Sequence, residues 1–184
     1  PLQLVFTALG TGTGIGMSSL VSRLHGQEST SSEEKGQVNV VASHILPLTF
    51  LLSMPLILVV FLLRKKLLLF LGATAATELS ANDYVGFVTL ASPFLIFSML
   101  ASNLLRGSGD TVTPMKAMGF SALLNAVADP ILIFGWGPIA PMGVKGAAIA
   151  TGGSQLVGAT YLLWRVFGQV KSPTLQKRVV SDIY

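Results

Sequence analysis

Cysteine is absent from the 184 residues, which excludes disulfides and thiolate chemistry. Histidine occurs twice, at His25 and His44, too far apart to suggest a metal-ligand cluster. Charge is scarce as well: 11% of the residues are charged, against about 25% in an ordinary soluble domain. The twelve Lys and Arg leave a net charge of +4. They are scattered between apolar runs rather than gathered on one face, a pattern that suits a cytoplasmic lipid leaflet and argues against a nucleic-acid partner. No nucleophile with an adjacent base, no paired general acid and base and no Gly-Lys-Ser/Thr phosphate loop is present, so neither an enzyme nor a cofactor is expected.

What fills the chain instead is apolar. Hydrophobic residues make up 51% and the mean hydropathy is +0.69, the composition of an all-α, multi-pass membrane protein, with the plasma membrane its expected location. About 20 apolar residues suffice to cross roughly 30 Å of hydrocarbon. Five runs qualify, predicting transmembrane helices at about 1–22, 37–63, 84–105, 114–136 and 143–166 in a partial bundle over 1–167, with 168–184 a cytoplasmic linker. Pro47, Pro55 and Pro93 fall inside these runs as kinks. The triplet Arg64, Lys65 and Lys66 closes the second run, and the stretch after it suggests a short interfacial helix. His44 is expected to be a satisfied polar residue rather than a proton carrier. The chain begins at Pro1 inside an apolar run and is expected to be a segment of a longer protein.

Orientation follows from the basic residues. Joins 23–37, 106–116 and 165–184 hold eight Lys and Arg, while 64–83 and 137–145 hold four, so the first set is predicted cytoplasmic. In the join at 106–114, Gly107 and Gly109 serve a tight turn, Thr113 is the candidate N-cap and Pro114 fits the first helical position.

Small residues recur at helical spacing. Gly10 with Gly14, and Gly12 with Gly16, stand four apart, which lets two backbones approach closely. A dinucleotide fingerprint would require glycine where Met17 stands. Gly146, Ala150 and Ser154 repeat the device in the fifth run.

One carboxylate interrupts the fourth run. Asp129 is the only charged residue between Lys116 and Lys145, and a charge at the bilayer centre costs about 3 kcal/mol on insertion scales. Ser121, Asn125 and Asp129 are spaced four apart and share one helix face. Pro130 has no amide hydrogen, so the carbonyl of Ala126 loses its intrahelical donor beside the acid. Carboxylate, amide oxygen and a freed carbonyl suit Na+, or a proton on a carboxyl whose pKa desolvation raises. A purely structural acid paired with a residue elsewhere is the other reading.

Three blocks of sequence carry a resemblance. Residues 104–115 (LLRGSGDTVTPM), then Asn125 and Asp129 with Pro130, then residues 141–151 (PMGVKGAAIAT) resemble the multidrug and toxic compound extrusion (MATE) transporters, and Val21, Ser22, Arg23 and Gly26 also fit. The resemblance implies that the five helices are the second to sixth of twelve, within the first six-helix bundle. It further implies a Na+- or H+-coupled antiporter that exports small organic, often cationic, compounds across a lipid membrane by alternating access. The family's paired Asn and Asp fall on Asn125 and Asp129, and the family's cavity Tyr and Thr fall on Tyr84 and Thr151, with Ser121 on the same cavity face. An acid on the family's first helix has no counterpart here; that helix and the second bundle are the missing partners. Two other readings stand beside it: a lipid-linked oligosaccharide flippase, which calls for a more basic cavity, and a structural or channel-like membrane subunit.

Overall fold

The computed structural model describes residues 2–26, 40–70, 78–138 and 140–170. The linker expected at 168–184 lies almost wholly outside the described residues. Five long helices account for nearly all of them: α1 (Leu2–Gly26), α2 (Ile45–Phe70), α3 (Glu78–Gly107), α4 (Val112–Phe134) and α5 (Val144–Val170). Four spans are long and apolar enough to cross a bilayer: Gln3–Arg23, Val40–Phe70, Ala81–Gly107 and Val112–Phe134. α5, at 27 residues, is long enough at 1.5 Å per residue, but is diluted by Gly, Ser, Thr and Gln. Most of those small and polar side chains face its neighbours.

α3 is the centre. Over half of its apolar window, 56%, is buried inside the bundle, against 22% for α1 and for the Val40–Phe70 span and 6% for α4. It packs on α1, α2 and α5, while α4 leans almost entirely on α5. Phe6 and Val21 of α1, Ile96, Leu100 and Leu104 of α3, and Leu162 and Val166 of α5 form the buried core. Outward-facing Leu51, Leu58 and Leu62 on α2 and Met115, Phe120, Leu123 and Val127 on α4 are exposed. Apolar surface on this scale, wrapped around a bundle, is what lipid or further helices cover.

Small residues set the closest approaches. Along α1 and α3 the contacts advance together, Gly10 on Met99, Gly14 on Asn103 and Ser18 on Gly107, so the two helices run parallel in steps of four. A Cβ on Gly14 would stand 2.5 Å from the Asn103 amide, whereas nothing lies within 4 Å of one on Gly12 or Gly16. Only the first of the two glycine pairs therefore lies at a helix contact among the described residues. On α5, a Cβ at Gly146 would collide with the carbonyl of Leu132, and Ala150 and Ser154 are buried. The small-residue face of α5 meets α4, and those two helices run antiparallel.

Helix ends differ from the sequence reading where charge was taken as a stop. α2 runs through Arg64, Lys65 and Lys66 to Phe70, because these are good helix formers whose stems can lie along apolar surface while the charge reaches water. The expected interfacial helix is thus, as far as Phe70, the end of α2. α3 starts at Glu78 rather than Tyr84 and takes Asp83 inside the helix. Near its start the second span is broken at His44, where His44 N–H bonds the Val41 carbonyl at 3.2 Å. Pro47 therefore sits in the first turn of α2, where a missing N–H costs nothing, and Pro55 is the interior proline. His44 Nδ1 lies 2.7 Å from the Val40 carbonyl, the satisfied role expected for it.

The turn between α3 and α4 takes four residues, Ser108 to Thr111. Gly109 adopts φ 87°; its N–H bonds the Arg106 carbonyl at 3.0 Å and the Asp110 N–H bonds the Leu105 carbonyl at 2.8 Å, a Schellman cap. Asp110 then caps α4: its carboxylate accepts the Thr113 N–H at 2.9 Å and the Thr113 hydroxyl at 2.6 Å. The N-cap expected at Thr113 belongs to Asp110, because a carboxylate accepts from both groups while Thr113 sits inside the first turn. At the far end, Gly135 at φ 78° closes α4 one residue after Phe134, short of Trp136.

Candidate functional site

A cavity of about 530 Å³ opens where α1, α3, α4 and α5 converge. Its existence follows from the packing: α5 separates α4 from α3 along most of their length, and α1 packs alongside α3. Polar side chains line much of it: Thr11 from α1, Ser98, Ser102, Asn103 and Arg106 from α3, Ser121 and Asn125 from α4, Thr151 and Gln155 from α5. Leu95, Met99, Met118 and Leu162 supply apolar wall.

The polar stripe of α4 faces α5. Ser121 Oγ donates to the Ser154 carbonyl at 2.6 Å, and Ser154 Oγ donates back to the Ala150 carbonyl of its own helix at 2.7 Å. One turn on, the Asn125 amide lies between Asp129 and Thr151. With its nitrogen toward the acid it donates to Asp129 Oδ2 at 3.3 Å while its oxygen accepts the Thr151 N–H at 3.3 Å; hydrogen-bond chemistry assigns this orientation. Interhelical side-chain hydrogen bonds of this kind are worth about 1 kcal/mol in membrane bundles, so the stripe holds α4 to α5 as well as edging the cavity. Asp129 is half-buried one turn beyond Asn125 and is not among the lining residues.

Of the residues picked out in the sequence, Ser121, Asn125 and Thr151 come together at the cavity, and Asp129 joins them through Asn125. Tyr84 does not. It is half-buried in the second turn of α3, about 16 Å of helix rise from Leu95, the first α3 residue on the cavity. Ser98, Ser102 and Arg106 escaped the sequence reading although their spacing of four marks a polar face on α3. Arg106 matters most, since the flippase reading calls for a basic cavity and this residue lies in the last turn of α3 and on the cavity.

Among the described residues no group of three or more His, Cys, Asp or Glu could hold a metal ion. Two ion pairs mark opposite ends of the bundle. Lys145 Nζ lies 2.7 Å from Asp83 Oδ2 where α3 and α5 begin, and Arg165 Nη2 lies 3.8 Å from Asp110 Oδ2 where α5 meets the α3–α4 turn. At the second end the Thr113 hydroxyl and N–H hold the Asp110 carboxyl below its ordinary pKa against an upward push from burial, and Arg165 adds a weaker downward pull.

Relatives carry the same segment. The family model for MatE matches residues 2–131. A FAD transporter from Shewanella oneidensis is 34% identical over 166 residues, covering 89% of this chain and 36% of the relative. An inward-facing multidrug resistance MATE transporter of known structure superposes with a TM-score of 0.76 at 29% identity, over 87% of this chain and 34% of its own. An outward-facing one gives 0.77 at 30%, over 90% and 35%. The chain thus spans about a third of the length of these relatives. With a MatE match over most of its length, a helix bundle shared with solved transporters and apolar spans around a cavity of mixed polar and apolar lining, the chain belongs to the MATE family of integral, multi-pass membrane transporters, which are not enzymes.

Proposed function

We propose that the full-length protein is an antiporter of the plasma membrane that exports small organic compounds by alternating access, driven by entry of H+ or Na+ at Asp129. The observation that carries this reading is the placement of the one acid in α4: Asp129 is half-buried and tied to Asn125, and through it to Thr151, both of which line a cavity of polar and apolar side chains. An ionisable residue inside a membrane span is costly and marks a functional site by default, and coupling to a cation is the role an acid there can fill. A proton binds there as it stands. Na+ would take the Asp129 carboxylate and the Thr151 hydroxyl, with the Asn125 amide turned so that its oxygen joins them; all three are hard oxygen donors.

Alternating access is supported by the near-equal fit of this segment to inward- and outward-facing relatives, with TM-scores of 0.76 and 0.77. A unit that rocks as a rigid body keeps its internal geometry in both states. Substrate range in the family extends from multidrug compounds to FAD, judged by the relatives' names. The flippase reading calls for several basic cavity groups, and Arg106 stands alone on the lining.

The test is efflux by the full-length protein carrying Asp129→Asn in membrane vesicles under an imposed proton or sodium gradient. Gradient-driven export is expected to fall at least ten-fold while substrate binding persists. Unimpaired coupling removes Asp129 from the role.

A further inference from the structure

Arg106 is the one ionisable side chain on the cavity lining. Its hydrogen-bond partner among the described residues is Met118, with Nη2 3.5 Å from Sδ, and a thioether is a weak acceptor. The acids nearest in sequence and on α4 are otherwise engaged: Asp110 by Thr113 and Arg165, Asp129 by Asn125. A guanidinium carries five donors in a planar fork that matches carboxylate and phosphate oxygens. This one stands exposed at one end of a cavity with Ser102 and Asn103 one turn behind it on the same helix. Met99, Met118 and Leu95 make the walls apolar.

We propose that Arg106 is a specificity-determining residue that seats the phosphate or carboxylate of an organic anion, with the apolar body of the compound lying along the methionine wall toward Asn125. The proposal deepens the exporter reading and rests on it for the direction of transport, but the binding it describes is measurable without transport. It reverses the cationic preference that the family resemblance implies. Electrostatically the arrangement is ordered: the fixed positive charge at the α3–α4 end attracts the anion, and Asp129 lies off the lining beyond Asn125, apart from it.

The oxyanion that Arg106 recognises has two sources, a soluble compound or an anionic lipid headgroup, and the experiment separates them. FMN and riboflavin share one fluorescent ring and differ by a phosphate, which makes them a matched pair of probes; ethidium supplies a cation of similar planarity. Binding is measured to the purified full-length protein in phosphatidylcholine proteoliposomes, with and without phosphatidylglycerol. FMN is expected to bind at least ten-fold more tightly than riboflavin, to lose that advantage in Arg106→Gln, to regain most of it in Arg106→Lys, and to weaken with salt. Ethidium binding is expected to be unchanged or stronger in Arg106→Gln. Equal affinity for the two flavins, or a parallel loss of all three probes in Arg106→Gln, overturns the proposal. So does displacement of FMN by phosphatidylglycerol, which assigns Arg106 to lipid. FMN that binds through Arg106 but is not moved by an ion gradient leaves this inference standing and sinks the exporter reading instead.

Discussion

Two acids of this chain show how differently a carboxylate is held inside and at the edge of a membrane bundle. Asp129, within the apolar α4 span, has an amide neighbour at 3.3 Å and no basic partner among the described residues. Asp110, in the turn, accepts two bonds from Thr113 and faces Arg165. These contacts lower the Asp110 pKa, and the sign of the consequence follows. The folded state binds its proton less readily than the unfolded chain, so the carboxylate stabilises the fold above the ordinary value of about 4 and ceases to do so as pH falls through the lower folded value. Asp110→Ala is therefore expected to destabilise the full-length protein by about 1 kcal/mol near neutral pH, the usual worth of a helix cap. The gap in apparent Tm between the two proteins should narrow as thermal melts in detergent are taken below about pH 4. A gap that stays constant into acid means that the lost cap is not electrostatic.

At the scale of helices, glycine at the contact and glycine off it make a controlled comparison. Gly146 lies against the Leu132 carbonyl, a backbone atom that cannot swing away, whereas Gly12 has nothing within 4 Å. Gly146→Ala is expected to cost about 1–3 kcal/mol by forcing α4 and α5 apart, and to loosen the Asn125 link to Thr151 with them. Gly12→Ala is expected to be neutral or to stabilise by up to about 1 kcal/mol through helix propensity; paired thermal melts measure both. The sequence displayed the small-residue repeats but not which of the two α1 pairs lies at a contact, because rotation about a helix axis is set by its neighbours. Helix existence was equally legible from the apolar runs, and helix ends were not: Arg64 and Asp83 look like borders on a hydropathy plot, yet both lie inside helices, and only Gly and Pro stop a helix by backbone geometry. The site divides along the same line. Asp129 declared itself as a lone charge, while Arg106 was hidden because it sits where a span ends and a basic loop is expected. Its position on the cavity depends on how α3 faces α1, α4 and α5.

The whole molecule has a polarity that its ion pairs make explicit. Asp83 with Lys145 ties together the starts of α3 and α5, and Asp110 with Arg165 ties the α3–α4 turn to the last part of α5. Each pair joins residues that a strictly alternating five-helix path brings to one end, so the pairs and the path agree. The basic-residue bias assigns the Asp110 end to the cytoplasm. The triplet at Arg64 pulls the other way, but it is built into the last turns of α2 rather than into a free loop, and long side chains on a helix end reach the interface from within the membrane. The absence of cysteine in this segment makes the orientation directly measurable. In the full-length protein with any other cysteines replaced by serine, Thr111→Cys and Pro138→Cys place one thiol at each end, both at exposed positions. A membrane-impermeant maleimide added to intact cells is expected to label position 138 and to spare 111 until the membrane is permeabilised. The opposite result would turn the bundle over and carry Arg106 to the outer face. An anion seated there would meet the cavity from outside, and the protein would be built to take such compounds in rather than expel them.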